Sequence, residues 1–216
     1  MFKNHQRYSK RHFVSSKIYA PDRIGLVGFH ETAWIIAVPA EPHAAWLQMR
    51  TRELKSKANG KGTNITDAIR KGTEMLAGTP NGILRRLWLL TDGESNREES
   101  KLWDVVAAAR DAYININTIG FGDKFDRTTL QRIAASTHNG KFIAVSSLRQ
   151  LTDALIAHSR PHGGLNKIRH HHRAETTVVC IDLSASMTEP MDGKMKIEVV
   201  QEALDRLILY KQQVFS

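Results

Sequence analysis

The stretch VVCIDLSASM, residues 178–187 of a 216-residue chain, reads as a buried strand that ends in turn residues. A strand buried on both faces needs neighbours on both sides, and little chain follows it. One amphipathic run comes after, KMKIEVVQEALDRLILYKQQ (194–213), in which Ile197, Val200, Leu204, Leu207 and Ile208 share a helical face. This strand and helix need a sheet to join.

The preceding residues supply the elements of one. RIGLVGF (23–29) and AWIIAV (33–38), separated by the polar turn HET, read as a hairpin. RLWLLTDG (86–93) and ININTIGFG (114–122) are apolar runs of strand length that end in turn residues, and KFIAV (141–145) is a shorter one. Amphipathic helical patterns cover 64–77, 100–112, 127–136 and 147–158. This alternation predicts an α/β fold: a doubly wound, mostly parallel sheet covered by helices on both faces, Rossmann-like in outline. SRPHGGLNKIRHHHRAE (159–175), with Pro161, Gly163, Gly164 and little to bury, reads as a linker. The organisation predicted is a basic arm (1–20), a body (21–158), the linker (159–175) and a final strand and helix (176–216) that complete the body's domain.

Composition limits what such a domain can be. The chain holds one cysteine, Cys180, inside the apolar run, so no intrachain disulfide can form and the thiol reads as buried and structural. That usage fits a reducing compartment. No segment approaches the roughly 18 uninterrupted apolar residues of a membrane span, and MFKNHQRYSKRHF lacks an apolar signal core. The expectation is a cytoplasmic protein without a membrane span. The net charge of +9 is concentrated. Lys3, Arg7, Lys10, Arg11 and Lys17 in the arm and Arg160, Lys167, Arg169 and Arg173 near the linker match the whole excess of 31 basic over 22 acidic residues. The body itself is balanced, so binding of nucleic acid or an anionic surface would rest on these two segments. His170, His171 and His172 read as solvated linker residues, and Trp34, Trp46, Trp88 and Trp103 as packing rather than a stacking platform.

The chemistry gathers where strands end. Asp182, Ser184 and Ser186, spaced by two, close the buried strand at the position where an open α/β sheet places its ligand crevice. Thr63 lies in the glycine-bounded loop of GKGTNITDAI, just before a helix, and Asp92 closes the strand of LLTDGE. Two carboxylates and three hydroxyls are hard oxygen donors that suit Mg2+ or Mn2+ completed by water. They leave a coordination position for an outside carboxylate. Asp67 and Glu94, nearby in sequence, read as helix surface and loop.

DLSAS, GTNITDAI and LLTDGE together resemble the three pieces of the metal-ion-dependent adhesion site (MIDAS) of von Willebrand factor type A (integrin I-like) domains. DRIGLVGF is similar to that family's second strand, IGFGDKFDRTTLQRIAASTHNGKFIAV to its fifth strand, following helix and sixth strand, and LRQLTDAL to its last helix. The resemblance implies that Asp182, Ser184, Ser186, Thr63 and Asp92 bind the metal. It further implies a non-enzymatic module that accepts a Glu or Asp carboxylate from a protein partner. The order departs from the family's, because its first strand and helix stand at the C-terminal end here. Circular permutation accounts for this: residues 159–175 reach about 56 Å when extended, against a radius of gyration near 16 Å for a domain of this size. A closed monomer is the expectation; a domain-swapped dimer, or a second domain begun at 177, would give the same order. Two other functions fit the composition: a Mg2+-dependent hydrolase or phosphoryl-transfer enzyme, and nucleic-acid binding through the basic segments.

Overall fold

The computed structural model describes residues 21–43, 45–94, 98–159 and 174–214. The basic arm and most of the linker, with its three histidines, lie outside them. Strands β1 (Arg23–Phe29) and β2 (Ala33–Ala40) form the expected antiparallel hairpin. Two short helices follow, α1 (Ala45–Arg52) and α2 (Leu54–Lys57), then α3 (Ile65–Ala77) and strand β3 (Leu84–Thr91). The chain continues through α4 (Leu102–Asp111), β4 (Ile114–Phe121), α5 (Arg127–Ala135), β5 (Phe142–Val145) and α6 (Leu148–Ser159). It closes with β6 (Glu175–Asp182), a small hairpin of β7 (Pro190–Met191) and β8 (Lys194–Met195), and α7 (Lys196–Val214).

The late strand lies in the middle of the sheet. The order is β2-β1-β6-β3-β4-β5, and every pairing except β1 with β2 is parallel. β6 runs beside β1 from Arg23↔Thr176 to Phe29↔Asp182, and beside β3 from Leu84↔Glu175 to Leu90↔Ile181. All eight residues of β6 are buried, as are all eight of β4, which explains why their sequences are apolar without alternation. One face is covered by α3, α4 and α5 over Val27, Ile69, Leu87, Val178 and Cys180. The other is covered by α1, α2, α6 and α7 over Leu26, Trp88, Val179, Leu204 and Leu207. Cys180 is fully buried and its Sγ donates to the Ala68 carbonyl (3.4 Å); burial pushes the thiol pKa up, so the group is inert.

Three local features were not legible in the sequence. The stretch before α3 shows no clear period, yet it carries α1 and α2, because α1 buries only Leu47 and Thr51 and so has too narrow an apolar stripe to be recognised. β2 continues through Pro39 to Ala40, beyond the expected end at Val38; it is an edge strand, where a missing N–H costs no ladder bond. Glu175, read as part of the linker, opens β6 and is 5% exposed. There it joins a buried ionic cluster at the amino ends of the three central strands. The Lys211 ammonium from α7 pairs with Asp22, the residue before β1, and lies 3.6 Å from Glu175 Oε1. The Arg86 guanidinium of β3 donates to Glu175 Oε2 (3.0 Å), and the Glu175 amide donates to Asp22 Oδ1 (2.9 Å).

Candidate metal centre

At the opposite, carboxyl ends of β6 and β3 stand Asp182 and Asp92, with Ser184 and Ser186 in the turn after β6 and Thr63 in the loop before α3. β6 ends in Asp182, fully buried. Its Oδ2 accepts from the Thr91 hydroxyl at the end of β3 (2.6 Å), and its Oδ1 accepts from the Ser184 amide (2.9 Å). A tight 3-10 turn follows (Ala185–Thr188), which returns Ser186 to the strand ends. Ser186 Oγ donates to Asp92 Oδ1 (2.7 Å) and lies 3.0 Å from Ser184 Oγ. Asp182, Ser184, Ser186 and Asp92 are thus tied together by direct hydrogen bonds or a shared backbone turn. Thr63 lines the same cleft as Ser184, Ser186 and Gly93; a Cβ built on Gly93 would stand 3.4 Å from Thr63 Oγ1.

The loop that brings Thr63 is bolted to β6 through Gly60. Its amide donates to the Leu183 carbonyl (3.1 Å) and its carbonyl accepts from the Ala185 amide (2.8 Å), forming a parallel bridge to Ser184. A side chain there would force His30 or the loop to shift, since a Cβ on Gly60 would sit 2.2 Å from the His30 Cβ. Asn64 then caps α3 by accepting from the Asp67 amide (2.9 Å). Asp67, read from sequence as helix surface, is more than that: its Oδ2 accepts from the Ala33 amide (2.6 Å) and so fixes α3 to the start of β2. Glu94 is exposed beside the cleft. The substitution Gly60→Ala is expected to cost about 1–3 kcal/mol of stability, as overpacking does, and to weaken divalent-ion binding by displacing Thr63. Urea unfolding with a Mn2+ titration would check both, and unchanged ion binding would detach the Gly60 loop from the site.

Two features of the electrostatics were missed by the sequence reading. Asp182 has no Lys or Arg partner among the described residues, and burial pushes its carboxyl pKa up to about 6, against the lowering effect of the Thr91 and Ser184 hydrogen bonds. Lys196, the first residue of α7, reaches the carboxylate of Asp92. Its ammonium donates to Asp92 Oδ2 (2.6 Å) and Glu189 Oε2 (2.9 Å). Burial alone would lower the Lys196 pKa, but the bonds to Asp92 and Glu189 outweigh it and hold the ammonium above its ordinary value. Helical periodicity marks Lys196 only as polar. The sequence signal available was its place in a first helical turn, where a cation is disfavoured by the helix dipole unless it has acidic partners.

The donor chemistry fits a hard divalent cation: two carboxylates and three hydroxyls converge, and one carboxylate is buried without a counter-ion among the described residues. Among the described residues no group of three or more His, Cys, Asp or Glu is placed to hold a metal ion, and the candidate centre itself offers two carboxylates with hydroxyls as its remaining donors.

A parallel sheet wound on both faces, with polar groups converging at the carboxyl ends of its central strands, defines a doubly wound domain with a ligand crevice at its switch point. The family model of the von Willebrand factor type A domain matches residues 12–156, more than half of the chain, and the protein belongs to that family. Domains of this kind are typically protein-interaction modules and often hold a divalent ion. The match ends before β6 and α7. A curated relative, the uncharacterized protein sll0103 of Synechocystis sp. (strain ATCC 27184 / PCC 6803 / Kazusa), is 26% identical over 117 residues, 53% of this chain and 27% of the relative. Among solved structures, a von Willebrand factor type A protein from Catenulispora acidiphila is similar with a TM-score of 0.49 and 17% identity, over 57% of this chain and 29% of the other. An uncharacterized membrane spanning protein from Vibrio fischeri is similar with a TM-score of 0.33 and 21% identity, over 65% of this chain and 77% of that one. The alignments with the Synechocystis and Catenulispora proteins thus span less than a third of those relatives' length. No described helix is long and apolar enough to cross a membrane.

Proposed function

We propose that this chain is a circularly permuted von Willebrand factor type A domain that acts, without catalysis, as a divalent-metal-dependent protein-binding module. Asp182, Ser184, Ser186, Thr63 and Asp92 would hold Mg2+ or Mn2+, directly or through water. When bound, the ion supplies a Lewis-acidic position for a Glu or Asp carboxylate of the partner. The reading rests most on Asp182, a carboxylate buried at the end of the central strand with no described cation beside it and with four other oxygen-bearing residues around it. Such a group is costly in isolation and gains from a cation. The permutation is supported by the position of β6 between β1 and β3, and by a family match that ends before it. The arrangement we propose is a closed monomer, and the buried lone thiol suits a reducing, cytoplasmic setting.

Thermal and urea unfolding of metal-stripped protein, with and without Mg2+ or Mn2+, tests the site, and mass in solution separates monomer from swapped dimer. An ion at 100 times its dissociation constant is expected to add about 2.7 kcal/mol to the parent, and nothing to Asp182→Ala. Equal stabilisation of parent and variant would remove Asp182 from the site; no stabilisation of the parent at millimolar ion would remove the metal.

A further inference from the structure

Lys196 occupies a position that the metal reading does not explain. The residue is 6% exposed and the Asp92 it pairs with is 2% exposed. Its ammonium is anchored on three sides, by Asp92 Oδ2 (2.6 Å), Glu189 Oε2 (2.9 Å) and the Ser186 carbonyl (3.4 Å). The other Asp92 oxygen, Oδ1, accepts from Ser186 Oγ at 2.7 Å, within the candidate shell. One carboxylate therefore faces two ways, towards the hydroxyl cluster with one oxygen and towards a covalently held cation with the other.

We propose that Lys196 is a tethered counter-ion of this site: it takes the metal's place at Asp92 and sets how tightly a divalent cation is held. The inference rests on the metal-site reading above and deepens it. Two effects of the ammonium act in the same direction. It neutralises Asp92 when no divalent ion is bound, so the metal-free fold is not left with two uncompensated buried carboxylates. It also adds a positive charge beside the shell, so an arriving divalent ion meets repulsion and only part of the Asp92 charge. Removing the ammonium removes both and should tighten ion binding.

The charges also bear on the partner. Glu189 is shared, with its Oε1 3.7 Å from the Lys124 ammonium. Among the buried groups of the site, Asp182 and Asp92 against Lys196 leave one negative charge, which a divalent cation would turn into one positive. A single carboxylate from a partner then restores neutrality. Lys196 thus biases the loaded site towards an anionic ligand over water, at the expense of metal affinity.

The experiment compares Mn2+ binding by isothermal titration calorimetry, and thermal unfolding with and without Mn2+, for the parent, Lys196→Met, Lys196→Gln and Lys196→Arg. The charge-removing variants are expected to bind Mn2+ at least tenfold more tightly than the parent, to have a lower metal-free Tm, and to show a larger Mn2+-induced rise in Tm; Lys196→Arg should stay near the parent. A residue that merely supported the loop would weaken binding when removed, so the sign of the change separates the two roles. Parent binding with no tightening in Lys196→Met or Lys196→Gln would overturn this inference and leave the metal site standing. Absence of Mn2+ binding in the parent and all variants would overturn both. Should Lys196→Met fail to fold, Lys196→Gln, which keeps a donor for Asp92, carries the same test.

Discussion

Lys211→Met is expected to lower the stability of this domain by about 3–5 kcal/mol, the range for breaking a buried ion pair on one side. The ammonium is fully buried, and its partner Asp22 is 1% exposed. The methionine would fill much of the space and leave Asp22 as a desolvated anion. Glu175 would keep Arg86, whose guanidinium lies 3.0 Å away. Burial pushes the Glu175 pKa up, but the charges of Lys211 and Arg86 outweigh it and hold the carboxyl below its ordinary value. A depressed acid stabilises the fold above its unfolded pKa and loses that contribution as pH falls, so the parent's advantage over Lys211→Met should shrink in acid. Urea unfolding at pH 7 and in acid would measure it, with Asp22→Asn/Lys211→Met as the control in which most of the loss returns. A loss below about 1 kcal/mol for the single variant would mean that water reaches the cluster, against the burial on which the argument rests.

Asp182→Asn is expected to act in the opposite direction and make the metal-free protein more stable. The folded pKa of about 6 stands above the roughly 3.9 of an unfolded aspartate. The native state therefore binds more protons than the unfolded one between these values, and the stability contributed by Asp182 falls as pH rises from about 4 to about 6. Two pKa units correspond to about 3 kcal/mol, present as a penalty at neutral pH and absent in acid. Asparagine removes the titration; its oxygen can accept from the Ser184 amide, and its NH2 can donate to the Thr91 hydroxyl once that rotates. The variant should match the parent near pH 4 and exceed it by up to about 3 kcal/mol at pH 7, while losing the stabilisation by Mn2+ in the same assay. A difference that does not vary with pH would show that Asp182 is not the group that titrates.

The residues of the candidate site were more legible as a group than their surroundings. Asp182, Ser184, Ser186 and Asp92 were found together because strand ends and two-residue spacing are visible as pattern, and the hydrogen bonds from Ser186 to Asp92 and Ser184 join them in space. The fold class was legible for the same reason, through the apolar runs of β4 and β6. What pattern hides is polar burial. Lys196 and Lys211 carry residue types that are nearly always solvated, and only partners distant in sequence, Asp92 and Asp22, make their burial tolerable. Gly60 was unremarkable as one glycine of a loop until the approach of His30 gave it a reason. α1 and α2 were hidden because few of their residues face the core.

The central position of β6 has a consequence for how the molecule comes into being. β1 and β3 are made early, yet each has one edge satisfied only when residues 175–182 arrive, and the bond from the Glu175 amide to Asp22 closes a sequence separation of 153 residues. Contacts so distant in sequence slow folding, and unpaired strand edges are where nascent chains associate wrongly. Synthesis therefore produces a sheet with a gap in its middle before it produces a folded domain. Asp182, Ser184 and Ser186 arrive with the strand that fills the gap and the turn behind it, so the candidate site assembles only when the core closes.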